Sequence, residues 1–172
     1  MRLPPHMIFH HDLHLFVFRP RGILTEKRVD KEIEIFEEVE DQVETPFNRF
    51  TDLSQVKAIR LTFQQIFRIA LHRRLKYGKR PTVRSAFYVT TEEAARIIRV
   101  HALMTDYSPI HVQMFEELEP AAKFLGVTVE DLQMGAGAVK PAARRQRPPA
   151  KRKQPGSLSD SRSRKLSDVA SC

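Results

Sequence analysis

The chain has 172 residues, 41% of them hydrophobic, with no Trp and a single cysteine, Cys172. That composition supports one domain with a real core, rules out an intrachain disulfide or a thiolate metal cluster, and predicts a reducing, cytoplasmic setting. Apolar runs of only a few residues exclude a membrane-spanning helix. Arg2 precedes an apolar stretch, but His10, His11, Asp12 and His14 interrupt it, so no signal peptide is predicted.

The net charge of +8 is unevenly placed. Ten of the 29 bases and two of the 21 acids lie from Ala136 onward, leaving 19 of each before it. The sequence pI of 9.9 therefore describes the end of the chain and not the body. Residues 136–172 also hold Pro141, Pro148, Pro149 and Pro155, lack Phe and Tyr, and run rich in Ser and Arg. Such a segment buries too little apolar area to offset its ordering entropy. The expected organisation is a domain over 1–135 and a disordered basic tail over 136–172.

Taken in order, Met7–Phe9 and Leu13–Phe18 read as short strands joined through His10, His11 and Asp12, the first an antiparallel edge. Arg19-Pro-Arg-Gly22 breaks the second, with Gly22 suited to positive φ. Thr25 is a candidate N-cap for a helix to about Val43, carried by Val29, Ile33, Phe36 and Val39. Phe47–Leu53 is a strand ending in the polar loop Thr51-Asp-Leu-Ser54. Thr62 with Gln65 forms a capping-box pattern for a helix to Tyr77-Gly78. In that helix Phe63, Ile66, Phe67 and Ala70 are expected inward, with Leu71 and Leu75 near that side. Val83–Val89 reads as a strand buried on both faces, and Thr91 caps a helix with Ala94, Ala95, Ile98 and Leu103 near its apolar side. A strand over Ile110–Phe115 and a helix over Glu116–Leu125, closed by Gly126, complete the domain. This order predicts an α/β fold: a mostly parallel, mixed five-stranded sheet with an antiparallel edge strand and about four helices.

Candidate sites are sparse. Glu26–Glu44 carries nine acids and three bases, whereas Lys57–Arg80 carries eight bases and no acid. Two readings follow: the helices neutralise each other, or Arg68, Arg73 and Arg74 form a docking surface for an acidic or phosphorylated partner. Asp52 can take loop amide bonds and shape its turn, and Ser54 beside it is a possible phosphoacceptor whose phosphate would act near the basic helix. Asp52, Ser54, Thr62 and His111 would form a site if they converged around a cavity. No Gly-x-Ser-x-Gly elbow or Gly-rich phosphate loop is present, and His6, His10, His11 and His14 do not match a zinc pattern. No catalytic set, cofactor or metal is therefore expected.

Three stretches, Phe16-Val-Phe-Arg-Pro-Arg-Gly-Ile-Leu-Thr25, Phe47-Asn-Arg-Phe-Thr-Asp-Leu-Ser54 and Met114-Phe-Glu-Glu-Leu-Glu-Pro-Ala-Ala-Lys-Phe-Leu-Gly126, resemble in order and spacing the SpoIIAA-like branch of the STAS superfamily. The resemblance spans about residues 7–130. It implies a mixed sheet with packed helices, usually no catalysis, and a role in protein interaction. Some relatives respond to serine phosphorylation, and some bind nucleotides or lipids. Asp52 and Ser54 are the nearest match to the switch serine of anti-sigma antagonists, although Gln55-Val-Lys-Ala-Ile-Arg-Leu intervenes before the Thr62 cap and the usual glycine is missing. The expected function is a noncatalytic protein-interaction or regulatory module, with a protein partner or a homodimer. The alternatives are a sensor or carrier for a small apolar molecule, lipid or nucleotide (eleven Phe and three Tyr can line a pocket as well as a core) and nucleic-acid association through the basic tail.

Overall fold

The computed structural model describes residues 3–43, 45–77, 82–106 and 108–134. The basic tail and the helix stop at Gly78 lie outside the described residues. Elements run β1 (Met7–His10), β2 (Leu15–Phe18), β3 (Gly22–Thr25), α1 (Glu26–Gln42), β4 (Asn48–Asp52), β5 (Val56–Arg60), α2 (Phe63–Tyr77), β6 (Val83–Tyr88), α3 (Glu92–Thr105), β7 (Ile110–Phe115), α4 (Leu118–Leu125) and α5 (Val129–Gln133). Five strands form one sheet in the order β1-β2-β4-β6-β7. β1 pairs antiparallel with β2, Met7 opposite Phe18, and the other pairings are parallel. The fold is the α/β mixed-sheet class expected, with the antiparallel strand at the edge.

Alternation along the strands sorts side chains onto two faces. Leu15, Val17, Phe50 and Ala86 point to one face and pack with Ala121, Ala122 and Leu125 of α4 and Leu132 of α5. Phe16, Arg49, Ser85 and Phe87 point to the other, toward α1, α2 and α3. Asn48 and Arg84 tie α4 to the strand ends by donating to Leu125 O at 3.3 Å and Phe124 O at 2.7 Å. An aromatic cluster seals the β1 side, with Phe16 and Phe36 edge-to-face at 4.9 Å and Phe9 and Phe47 at 5.0 Å.

Several elements differ from the sequence expectation, each for a physical reason. The second strand starts at Leu15, because His14 adopts φ 45° in the connecting turn. Gly22, at φ 76°, does not merely end a strand. It opens β3, which pairs in parallel with β5 and drives Leu24, Val56 and Ile59 into the core beside Phe87 and Ile98. The segment between Ser54 and Thr62 thus holds a strand, hidden in the sequence because its buried Val56 and Ile59 and its exposed Lys57 and Arg60 are each three apart and show no alternation. A fifth helix, α5, follows Gly126, opened by a capping box between Thr128 and Asp131. Thr25 occupies the N-cap of α1 without a side-chain bond, whereas Thr91 Oγ1 accepts from Ala94 N at 3.3 Å.

The largest correction concerns α2. Ile66 and Ala70 face the core as expected, but Phe63, Phe67, Leu71 and Leu75 face solvent, 65%, 52%, 43% and 76% exposed. Gln65 is buried in their stead, held by the capping box: Thr62 N donates to Gln65 Oε1 at 2.8 Å, and Gln65 N donates to Thr62 Oγ1 at 3.3 Å. Leu103 of α3, also expected inward, is 74% exposed.

α1 is pinned to the sheet by charge. Arg49 NH2 donates to Glu40 Oε1 at 2.6 Å, with both side chains almost fully buried. The guanidinium lies 4.5 Å from the Phe36 ring centroid. Removing one partner of such a pair strands a buried charge, whereas replacing both by apolar groups of similar volume is tolerated. Urea unfolding should therefore show Glu40→Ala destabilised by about 3–5 kcal/mol and the double variant Glu40→Leu/Arg49→Met close to the parent.

Candidate functional site

A cavity of about 140 Å³ lies between the sheet and the three helices α1, α2 and α3. Its floor is the inward row of the sheet, including Phe16, Arg49, Ser85 and Phe87, and its walls include Ile33, Phe36, Ile69 and Ile97. Arg49 and Ser85 are register partners on β4 and β6. Ser85 is fully buried and small, so the sheet offers little bulk where a larger side chain would have filled the space. Ile33, Phe36, Ile69 and Arg73 line both this cavity and the cleft outside it between α1 and α2. That cleft is the approach from solvent.

The polar end of the cavity is formed by Arg73 and His101. Arg73 NH1 lies 3.4 Å from His101 Nε2. Since guanidinium can only donate, Nε2 accepts and the ring proton resides on Nδ1. Burial, reinforced by the Arg73 charge, pulls the imidazole down to about 3. It is a neutral acceptor across the physiological range, and its edge meets the Phe87 ring at 5.8 Å.

Charge on α2 is spent mostly against α1. Arg68 reaches Asp30 at 2.7 Å and Glu26 at 3.7 Å. His72 pairs with Glu37, and Lys76 lies 3.7 Å from Glu37 and 3.5 Å from Glu40. These contacts bridge the cleft, so the two oppositely charged helices neutralise each other to a large degree. Of the three arginines suggested as a docking set, Arg68 is engaged by α1, Arg73 turns to the cavity, and Arg74 is exposed. They do not share one surface.

Nor do the other sequence candidates converge. Asp52 ends β4, where its Oδ1 accepts from Ser54 N at 2.9 Å, the turn-shaping role expected of it. Its charge also acts on Arg19, opposing the lowering by burial, and on Tyr88, which burial and Asp52 push up. Ser54 lines a shallow groove with Arg21, Gly22 and Lys57. Thr62 starts α2 beyond the far end of β5, so a phosphate on Ser54 would meet Arg21 and Lys57 before α2. His111 is exposed near the start of β7, while the register aligns Asp52 with Tyr88 and Phe115 at that strand's other end, about 13 Å further along.

The residues that do meet at the cavity, Arg49, Ser85 and His101, carried a weak signal. Arg49 precedes Phe50 at an inward register of a strand that also carries Asn48, Thr51 and Asp52, and His101 shares a helical face with Ala94 and Ile98. Among the early histidines, His6 Nε2 pairs with Glu32 at 2.9 Å, and His14 Nδ1 lies 3.1 Å from Thr45 Oγ1. No group of three metal-ligating side chains occurs among the described residues.

Fold and site together define an α/β mixed-sheet protein with an apolar chamber beneath a charged helix pair. Among solved structures, the chain is similar to an uncharacterised protein of the DUF3478 family with a SpoIIAA-like fold from Shewanella loihica PV-4. The identity is 16% and the TM-score 0.45, over 64% of this chain and 83% of that one. No family model and no curated protein matches the chain. No helix among the described residues is long and apolar enough to cross a membrane.

A buried neutral histidine makes stability pH-dependent with a definite sign. The folded value, about 3, lies below the ordinary 6.5. Between those limits the unfolded chain binds the extra proton, so stability falls as pH falls below about 6.5, by about 1.4 kcal/mol per unit. Denaturant unfolding at pH 7 and pH 5 should show a loss from this group of about 2 kcal/mol. His101→Gln should show a shallower acid limb, whatever its stability at pH 7.

Proposed function

We propose that the chain is a noncatalytic regulatory module that takes a small, largely apolar molecule into the chamber between the sheet and α1–α3. The observation that carries this reading is the volume of about 140 Å³, open on one side and with mainly apolar walls. An apolar protein cavity of about 150 Å³ stays dry and accepts benzene. The polar end at Arg73 and His101 suits a ligand bearing one or two hydrogen-bonding atoms, with Arg73 the donor. A nucleotide or a whole lipid fits poorly, because pockets for drug-sized ligands start near roughly 300 Å³. The noncatalytic part of the reading is supported by the spread of Asp52, Ser54 and His111 over opposite ends of the sheet, which keeps these three from acting as one set. Ser54 phosphorylation and nucleic-acid binding by residues 136–172 stand as separate proposals that the chamber does not bear on.

Toluene and benzyl alcohol are suitable probes of the full chain. A probe at about a hundredfold excess over its Kd should add about 2.7 kcal/mol to unfolding stability. Filling the chamber with Ile97→Phe should remove that increment while leaving the far-UV circular dichroism unchanged. If the parent gains nothing from either probe, or the filled variant gains as much as the parent, the chamber is not a ligand site. A second reading, association with another protein, is favoured by the apolar face of α2.

A further inference from the structure

Phe63, Phe67, Leu71 and Leu75 follow one another at intervals of four along α2, all on its solvent side. Together they expose about 400 Å² of apolar surface, the scale of the largest patch on a typical monomer and one usually tied to function. The opposite side of the helix is already committed: Ile66 and Ala70 are buried, and Ile69 and Arg73 line the chamber. We infer that this stripe is a self-association surface, on which α2 of a second copy packs antiparallel about a two-fold axis.

Three features select a second copy as the occupant. The first is charge. Arg68, His72 and Lys76, along the border of the stripe toward α1, already meet Asp30, Glu37 and Glu40. An acidic partner would compete with carboxylates held in the same chain, whereas an apolar partner would not. The second is self-complementarity. A two-fold contact requires that if one residue meets a second, the second meets the first. The stripe is symmetric about the midpoint between Phe67 and Leu71, so an antiparallel mate places Phe67 on Leu71 and Phe63 on Leu75. Each aromatic ring then faces the smaller aliphatic chain, and Arg74 falls opposite Gln64, not another Arg74. The third is geometry. Rows at intervals of four drift about the helix axis, and two such rows interdigitate when the axes cross near −50°, the commonest helix-packing class.

A standard interface buries about 800 Å² per partner, so the stripe supplies roughly half and the stems of Gln64, Arg68 and Arg74 border it. This places the dimer in the weak, reversible range, with a dissociation constant in the micromolar region.

Sedimentation equilibrium of the full chain should show a monomer–dimer equilibrium between about 1 and 200 µM. Phe67→Glu and Leu71→Glu should each raise the dissociation constant at least tenfold. Phe67 and Leu71 are 52% and 43% exposed and a glutamate there can reach water, so the monomer keeps its circular dichroism. Leu103→Glu, on α3, should leave the equilibrium unchanged. Raising salt from about 0.05 to 0.5 M should not weaken the dimer, because the contact is apolar with like-charged borders. In a Cys172→Ser background, mixing equal amounts of Phe67→Cys and Leu71→Cys chains should give the mixed disulfide well beyond the twofold excess over either self-pair that random pairing produces. A monomer at all these concentrations overturns the inference. So does a dimer indifferent to both glutamates, one lost only on deletion of residues 136–172, or a predominance of 67–67 self-pairs.

Discussion

Glu40 is the point at which three layers of the structure meet. It belongs to α1, accepts from Arg49 of β4, and lies 3.5 Å from Lys76 of α2. A carboxylate this deeply buried is tolerable only while its cations stay in place, and each cation is held by more than Glu40 alone. Arg49 stacks on Phe36, and Lys76 also approaches Glu37. The pair is therefore a weak source of net stability but a strong source of position. Any sliding of α1 along the sheet separates the charges without supplying water, and the cost of that excursion fixes where α1 sits.

Fixing α1 has a consequence for the space beside it. Protein interiors ordinarily close over gaps larger than a water molecule. Here closure would bring α1 and α2 down onto the sheet, but the Arg49 side chain stands between the sheet and α1, and the α1–α2 ion pairs hold the helices across their cleft. The rigid polar elements hold the apolar one open. His101 contributes from the third side: neutral and accepting from Arg73, it partners a cation on the chamber wall without adding a charge of its own.

Much of the domain was legible from pattern alone. The antiparallel edge, the parallel crossovers through α1, α2 and α3, and the caps at Thr62 and Thr91 follow from periodicity and local chemistry. β3 and β5 were not legible, because a two-stranded pairing of residues distant in sequence leaves a pattern too short to distinguish from a loop. The face of α2 misled for a different reason. Apolar residues occupy both sides of that helix, and periodicity cannot say which side meets the core when Ile66 and Ala70 suffice to fill it. The site was the least legible part. Sequence reasoning weighs residues that advertise chemistry, such as Asp52, Ser54 and His111, whereas the chamber arises from an omission of bulk at Ser85 and from polar side chains, Arg49 and Arg73, that long-range pairing brings inward.

α2 is a single-helix wall with the chamber on one side and the apolar stripe on the other. Ile69 and Arg73 touch the inner space, while Phe67 and Leu71 form the middle of the outer row. A ligand inside and a second copy outside would thus act on the same rigid element. Each alters the other's affinity only through a preference for one position of α2, and any such preference is reciprocal. The ion pairs to α1 set the scale of that preference. Arg68 and His72 are more than half exposed, and contacts of that kind contribute only about 0.2–1 kcal/mol each. Lys76 and Glu40 resist more, being anchored through Arg49 to the sheet. The ion pairs to α1 consequently hold α2 less firmly at Arg68 than at Lys76, and at the Arg68 end it is the buried Ile66 and Ala70 that keep the helix in place.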